Sequence, residues 1–223
     1  MKKTYYSLLL LCYLNAITSY SQEKQETKTK RNFTLGINAG GHYSYLGGDS
    51  GYSNFYHKNK FNYVAGINAE LQLNKSWSMY ANLNYRPRSF TSNVTLATNN
   101  GPKTTTEEMR FSYLELPLMV KYRIENSFFY VNGGIYFAKF LSVKDILDGK
   151  DTGIDWSENQ NKLDMGVVLG AGFIFYENEK ETTNMSLEFR YIHGLTGLLN
   201  ATEGDNSTYM NAYCLQLNYN FTP

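Results

Sequence analysis

Leu163-Asp164-Met165-Gly166-Val167-Val168-Leu169-Gly170-Ala171-Gly172-Phe173-Ile174-Phe175 changes character at every second residue. Leu163, Met165, Val167, Leu169, Ala171, Phe173 and Phe175 share one face, and Asp164, Gly166, Gly170 and Gly172 share the other. A period of two belongs to a β-strand with unlike faces. The polar face decides which way the strand looks. A face bathed in water has no use for repeated glycines, which weaken a strand. A crowded interior does need small residues. The stretch therefore reads as a strand with its apolar face outward and its polar face lining a narrow lumen, as in a membrane β-barrel.

The same period recurs along the chain. It predicts strands at about 33–46, 61–73, 77–86, 110–123, 128–141, 163–175, 185–195 and 210–221. Each is long enough for the ~9–11 residues with which a tilted strand crosses a bilayer. Gly36, Gly40, Gly66 and Gly134 repeat the small-residue signal on the polar faces. Connections at 74–76, 124–127 and 176–184 are short, while those at 47–60, 87–109, 142–162 and 196–209 read as long loops. Short turns at one end and long loops at the other are the habit of outer-membrane barrels. Aromatics gather near the strand ends of the apolar face. Tyr43, Tyr45, Phe61, Tyr63, Tyr85, Phe137, Tyr191 and Tyr213 fall at one rim. Phe33, Trp77, Tyr122, Phe129, Phe173, Phe175, Tyr219 and Phe221 fall at the other, giving two girdles at the interfaces. The expected fold is an all-β, eight-stranded antiparallel up-and-down transmembrane barrel, OmpA-like, over residues 33–221. Eight strands leave a lumen that side chains fill. An even count puts both termini on one side, expected to be the periplasm.

The chain has 223 residues, 16% aromatic and 18% charged, with a formal net charge of +1. That balance carries no basic stripe for nucleic acid. Cys12 and Cys214 are too few for a disulfide framework or a thiolate metal site. Met1-Lys2-Lys3, the apolar stretch around Leu8–Leu11, and Ser19-Tyr20-Ser21 follow the plan of a secretory signal peptide over residues 1–21. Residues 22–32 then read as a polar lead-in. No apolar run reaches the length of a membrane helix.

Glu70, Arg86, Glu115, Lys121, Arg123, Asp164, Glu188 and Arg190 fall on the inward face. Isolated charges there are costly, so a structural network of ion pairs is expected, with Arg86 beside Glu115 and Glu188 beside Arg190. None of the outward residues named above is charged, in keeping with the ~2–4 kcal/mol that an Arg costs on the lipid face near the midplane. His42, His57 and His193 are scattered and show no metal-ligand spacing. His193 with Ser186 is a weak candidate for a catalytic pair on the barrel wall. Gly47-Gly48-Asp49 and Gly204-Asp205 read as turns. Asp145, Asp148, Asp151, Asp155 and Glu158 read as solvated loop acids. No catalytic, cofactor or metal site is expected.

Tyr113-Leu114-Glu115-Leu116-Pro117-Leu118-Met119-Val120-Lys121-Tyr122 resembles the YLE-P-L-KY strand of the PorT-like outer-membrane β-barrel family of Bacteroidetes-type envelopes. Leu169-Gly170-Ala171-Gly172 and Tyr191-Ile192-His193-Gly194-Leu195-Thr196-Gly197-Leu198 are similar to later signatures of that family. The resemblance covers most of residues 31–221. It implies outer-membrane lipids and the barrel-assembly machinery as partners, and for some members secretion or envelope proteins. The chain stops at Asn220-Phe221-Thr222-Pro223, whereas many such barrels end on the aromatic itself. Pro117 lacks an N–H and implies a bulge or an interrupted ladder. The expected role is an envelope structural or adhesive protein, or a secretion accessory, acting through its loops. A lipid-modifying enzyme and a soluble lipocalin-like carrier are the alternatives.

Overall fold

A computed structural model describes residues 33–48, 58–98, 101–154, 156–179, 182–198 and 208–222. The expected signal peptide and lead-in, His57, Asp155 and Gly204-Asp205 lie outside them. The strands are β1 (Phe33–Gly47), β2 (Lys58–Gln72), β3 (Trp77–Thr98), β4 (Gly101–Arg123), β5 (Phe129–Leu147), the two-residue β6 (Lys150–Asp151), β7 (Leu163–Glu177), β8 (Thr183–Gly194) and β9 (Tyr209–Phe221). All belong to the unit Asn32–Pro223. Every pairing is antiparallel. β1 pairs with β9, and β4 pairs with β5, so the eight long strands close into a ring. Closure leaves the wall without an edge, as strands in lipid require.

The faces decide between a soluble and a membrane barrel. Leu116, Leu169 and Leu217 are 38%, 59% and 44% exposed, while Glu115, Arg190 and Gln216 are 0% exposed. Greasy side chains point out and polar ones in, which excludes the lipocalin-like alternative, whose apolar face would be the inner one. Both aromatic girdles form. Trp77 and Tyr122 pack at 4.8 Å and Phe129 and Phe173 at 6.2 Å at the end where β1 begins and β9 ends. Tyr63 and Tyr85 pack at 6.1 Å, and Tyr191 and Tyr213 at 5.3 Å, at the loop end.

The inward glycines make room for neighbouring tyrosines. Tyr136 lies opposite Gly166 and Tyr130 opposite Gly172 across the β5–β7 ladder. A Cβ on Gly166 would stand 2.6 Å from the Tyr136 ring, and one on Gly172 would stand 2.5 Å from the Tyr130 ring. Each ring lies across the strand beside it and covers the backbone that the glycine leaves bare.

Residues 87–109 depart from the expected loop. The β3–β4 ladder runs without a register change from Arg86–Tyr113 to Thr98–Gly101. Pro87 does not stop β3, because it lies within the stretch where a β2 bulge between Asn59 and Ala65 already interrupts the ladder. The missing N–H therefore leaves no bond unmade. Pro117 behaves alike: the β3–β4 pairing skips Asn82 and Leu83, and the register resumes unchanged. β5 also runs on to Leu147, into the expected loop at 142–162. There Asp148 and Gly149, with φ of 51° and 78°, turn the chain into β6. Positive φ at both central residues is the geometry of the commonest two-residue hairpin. β3, β4, β5 and β6 thus continue past the barrel as a small sheet.

Candidate functional site

The barrel interior is built in layers, because inward residues of neighbouring strands meet at matched register. At the end where β1 begins and β9 ends, Arg123 forks onto Glu177 at 3.1 and 2.8 Å. Above it, Lys121 donates to Glu70 at 2.8 Å, and its ammonium lies 4.3 Å from the Tyr130 ring centre. The next layer centres on Glu188. It accepts hydrogen bonds from Tyr130 Oη (2.8 Å), from Asn132 Nδ2 (3.0 Å) and from Arg190. Arg190 also lies 5.6 Å over the Tyr80 ring.

The upper layer spans the lumen. Arg86 Nε stands 3.0 Å from Glu115 Oε2. Arg88 donates to the same oxygen at 3.1 Å and reaches Asp164 Oδ2 at 2.7 Å, tying β3 and β4 to β7. Tyr136 Oη also donates to Asp164 at 3.1 Å. Above this bridge sits an aromatic lid. Phe90 and Phe111 pack at 6.1 Å, Tyr113 and Phe140 at 5.8 Å, with Met109, Met210 and Leu198 buried beside them. Arg86, Arg88, Arg190 and Lys121 thus face Glu115, Asp164, Glu188 and Glu70, four cations against four carboxylates. Balanced pairing is what permits charge in so enclosed a space.

The eight residues expected inside are therefore placed as follows. Arg86 meets Glu115, Lys121 meets Glu70, and Arg190 meets Glu188. Asp164 and Arg123 take partners that sequence reasoning did not name, Arg88 and Glu177. Arg88 was legible in principle: Asn84, Arg86, Arg88 and Phe90 keep the inward period straight through Pro87. His42 lies inside the barrel, with Nδ1 2.8 Å from Ser44 Oγ. His193 and Ser186 do not form a pair. Ser186 is buried against Tyr130 Oη at 3.2 Å, whereas His193 sits seven positions along β8 and therefore on its other face, stacked on Tyr191 at 6.2 Å. Asp145 is buried at the lid, while Asp148 and Asp151 pair with Lys103 and Lys144. Lys139, which the sequence reading assigned to neither face, lies exposed on β5 opposite Leu114 and Leu163, at the loop-end girdle.

Among known proteins, the chain is similar in fold to OprG of Pseudomonas aeruginosa, at 13% identity, covering 87% of this chain and 98% of that one with a TM-score of 0.47. It is similar to Neisserial surface protein A at 12% identity, with coverage of 85% and 96% and a TM-score of 0.45. The attachment invasion locus protein Ail of Yersinia pestis matches at 15% identity, with coverage of 84% and 98% and a TM-score of 0.40. No curated protein sequence matches. A family model described as the outer membrane protein beta-barrel domain matches residues 20–200. Outward apolar faces, a closed antiparallel ring and that match lead to one assignment: the chain belongs to the outer membrane protein beta-barrel domain family.

Proposed function

We propose that this protein is a filled, non-conducting outer-membrane barrel of the PorT-like kind, with both termini in the periplasm. It acts through the sheet at its loop end as an envelope structural or adhesive protein, or a secretion accessory, and it is not an enzyme. The observation that carries this reading is the bridge from Arg88 to Glu115 and Asp164 beneath the Phe90–Phe111 lid. A lumen closed by ion pairs and capped by aromatics leaves the loop end as the surface on which a partner can act. Its working partners are outer-membrane lipids, the barrel-assembly machinery that inserts it, and envelope or secreted proteins.

Two measurements test the reading together. In planar bilayers the full chain shows no large, steady conductance. Replacing residues 92–107 by a two-residue Asn-Gly turn leaves a barrel that still migrates faster unheated than boiled. That shortened barrel does not restore secretion or adhesion to a deletion strain. A stable open channel in the intact chain, or full rescue by the shortened one, overturns the proposal.

A further inference from the structure

We propose that the loop-end rim of the β2–β5 wall binds the phosphate groups of an anionic lipid in the adjoining leaflet. The inference rests on the membrane-barrel reading, and it adds a ligand site on the outside of the wall.

The chain builds this site with a bulge. Ser112 pairs with Ser142 but Tyr113 pairs with Phe140, so Leu141 is an extra residue in β5. Without it, Ser142 and Lys144 would continue the inward set of Tyr136, Ala138 and Phe140. With it, they turn outward beside Ser112 and Arg110, while Val143 and Asp145 take the buried side. Re-aiming side chains is a known use of bulges at barrel rims. The result is a cleft of about 630 Å³ whose walls include Lys60, Arg110, Lys144, Ser112 and Ser142.

The cations are held ready. Glu108, 7% exposed, accepts a hydrogen bond from Lys60 and two from Arg110, at 3.1 and 2.8 Å. Burial pushes the Glu108 carboxyl up, but these two partners outweigh it and hold it below its usual range. Among the described residues Lys144 pairs with one exposed carboxylate, Asp151, at 3.6 Å, a pairing of little strength. Lys139 adds a further outward charge at the girdle.

Depth selects the ligand. Tyr63 and Tyr85 line the same cleft, and Tyr85 Oη donates to Ser112 Oγ at 3.1 Å. Interfacial tyrosines lie at headgroup level, so the cations stand where lipid phosphates stand. Guanidinium, ammonium and hydroxyl donors suit phosphate oxygens. The opposite wall differs: among the described residues, β8, β9 and β1 carry no outward Lys or Arg, and their rim is the Tyr45–Tyr213–Tyr191 stack.

The test uses the full chain in detergent, with bound lipid counted by native mass spectrometry. The probes are diphosphorylated lipid A, the same lipid A stripped of phosphate, and inorganic phosphate. Diphosphorylated lipid A is expected to bind at least tenfold tighter than the stripped form. Arg110→Gln with Lys144→Gln should weaken it by about fivefold per charge removed, and Lys103→Gln should leave it unchanged. Equal binding of the two lipids, undiminished binding by the double variant, or displacement by equimolar inorganic phosphate overturns the proposal. Each sample is first checked for heat-modifiable migration. A wild-type chain that fails that check refutes the membrane reading and not the site. If the double variant alone fails it, the two lipids on the wild-type chain decide.

Discussion

Replacing Arg88 by Met should be among the most damaging single changes in the barrel. Its guanidinium makes two charged hydrogen bonds, 3.1 Å to Glu115 and 2.7 Å to Asp164, and lies 4.8 Å over the Tyr113 ring. Methionine fills part of the volume but returns neither bond. Glu115 keeps Arg86 at 3.0 Å, whereas among the described residues Asp164 keeps only the neutral Tyr136 hydroxyl at 3.1 Å. Two hydrogen bonds to charged groups, at ~1.5–3 kcal/mol each, give about 3–6 kcal/mol. The cost of orphaning one member of a buried pair, ~3–5 kcal/mol, agrees with that. We therefore expect a loss of about 4 kcal/mol, read by urea titration in lipid vesicles with the folded fraction scored by gel mobility. Asp164→Asn should cost less, because Arg88 retains Glu115. Arg88→Met combined with Asp164→Asn should cost clearly less than the two losses added, since no carboxylate is then stranded. A single Arg88→Met within about 0.5 kcal/mol of wild type, the range of an ordinary surface change, refutes the bridge as a closed, dry contact.

Gly166→Ala should destabilise the barrel by about 1–3 kcal/mol in the same titration, because the new Cβ meets Tyr136 at 2.6 Å and the His193 carbonyl at 2.0 Å. Gly166→Ala with Tyr136→Phe should fare no better, since the ring and the carbonyl stay. The pH dependence of the rim is set by Glu108, whose carboxyl Lys60 and Arg110 hold below its usual value. Its contribution is fully present above the ordinary carboxylate pKa and is lost as pH falls through the lowered one. Thermal inactivation of the loop-end sheet, followed by limited proteolysis of residues 91–108, should therefore quicken as pH falls below about 4.3. Glu108→Gln should flatten that profile, and an unchanged profile sinks the assignment.

The barrel was legible because alternation reports burial, and each crossing strand has one face in lipid and one in the lumen. Leu163–Phe175 shows this directly, and the glycines among its polar positions told which face was inside. Past the girdle the signal fails for the same reason. From 93 to 97 and from 101 to 104 successive residues are exposed or half-buried, so small and polar residues carry the ladder without alternation. Thr95 and Thr104 bond across it at 3.2 Å, yet nothing in their order announces a strand. Pro87 then hid Arg88, because its tolerance depends on a bulge in β2, a different strand. Glu177 went unseen because it lies at the end of β7, where a strand reading shades into a turn. Lys139 and Lys144 share a strand with an inserted residue between them, and an insertion that changes parity cannot be read from one strand alone.

Charge on the outer face measures the membrane itself. Along β4 the outward positions from Tyr122 to Ser112 carry no charge, and Arg110 and Glu108 follow at once. Ten residues at ~3.4 Å each, tilted by about 40°, rise about 26 Å along the barrel axis, close to the ~25 Å apolar band of an outer-membrane barrel. The cost of an outward Arg or Lys falls from ~2–4 kcal/mol at the midplane to ~0–1 at the interface. Charges should therefore begin at the girdle, and they do: Lys139 stands level with Tyr85, both paired with Leu114. The same arithmetic explains why the inner face is charged. A one-residue slip of β4 would turn Glu115 and Lys121 into lipid and bury Leu116 and Val120 in the lumen. Each misplaced charge would lose its partner as well as its surroundings, so the ion pairs that fill the barrel also fix which way β2, β3, β4, β7 and β8 face.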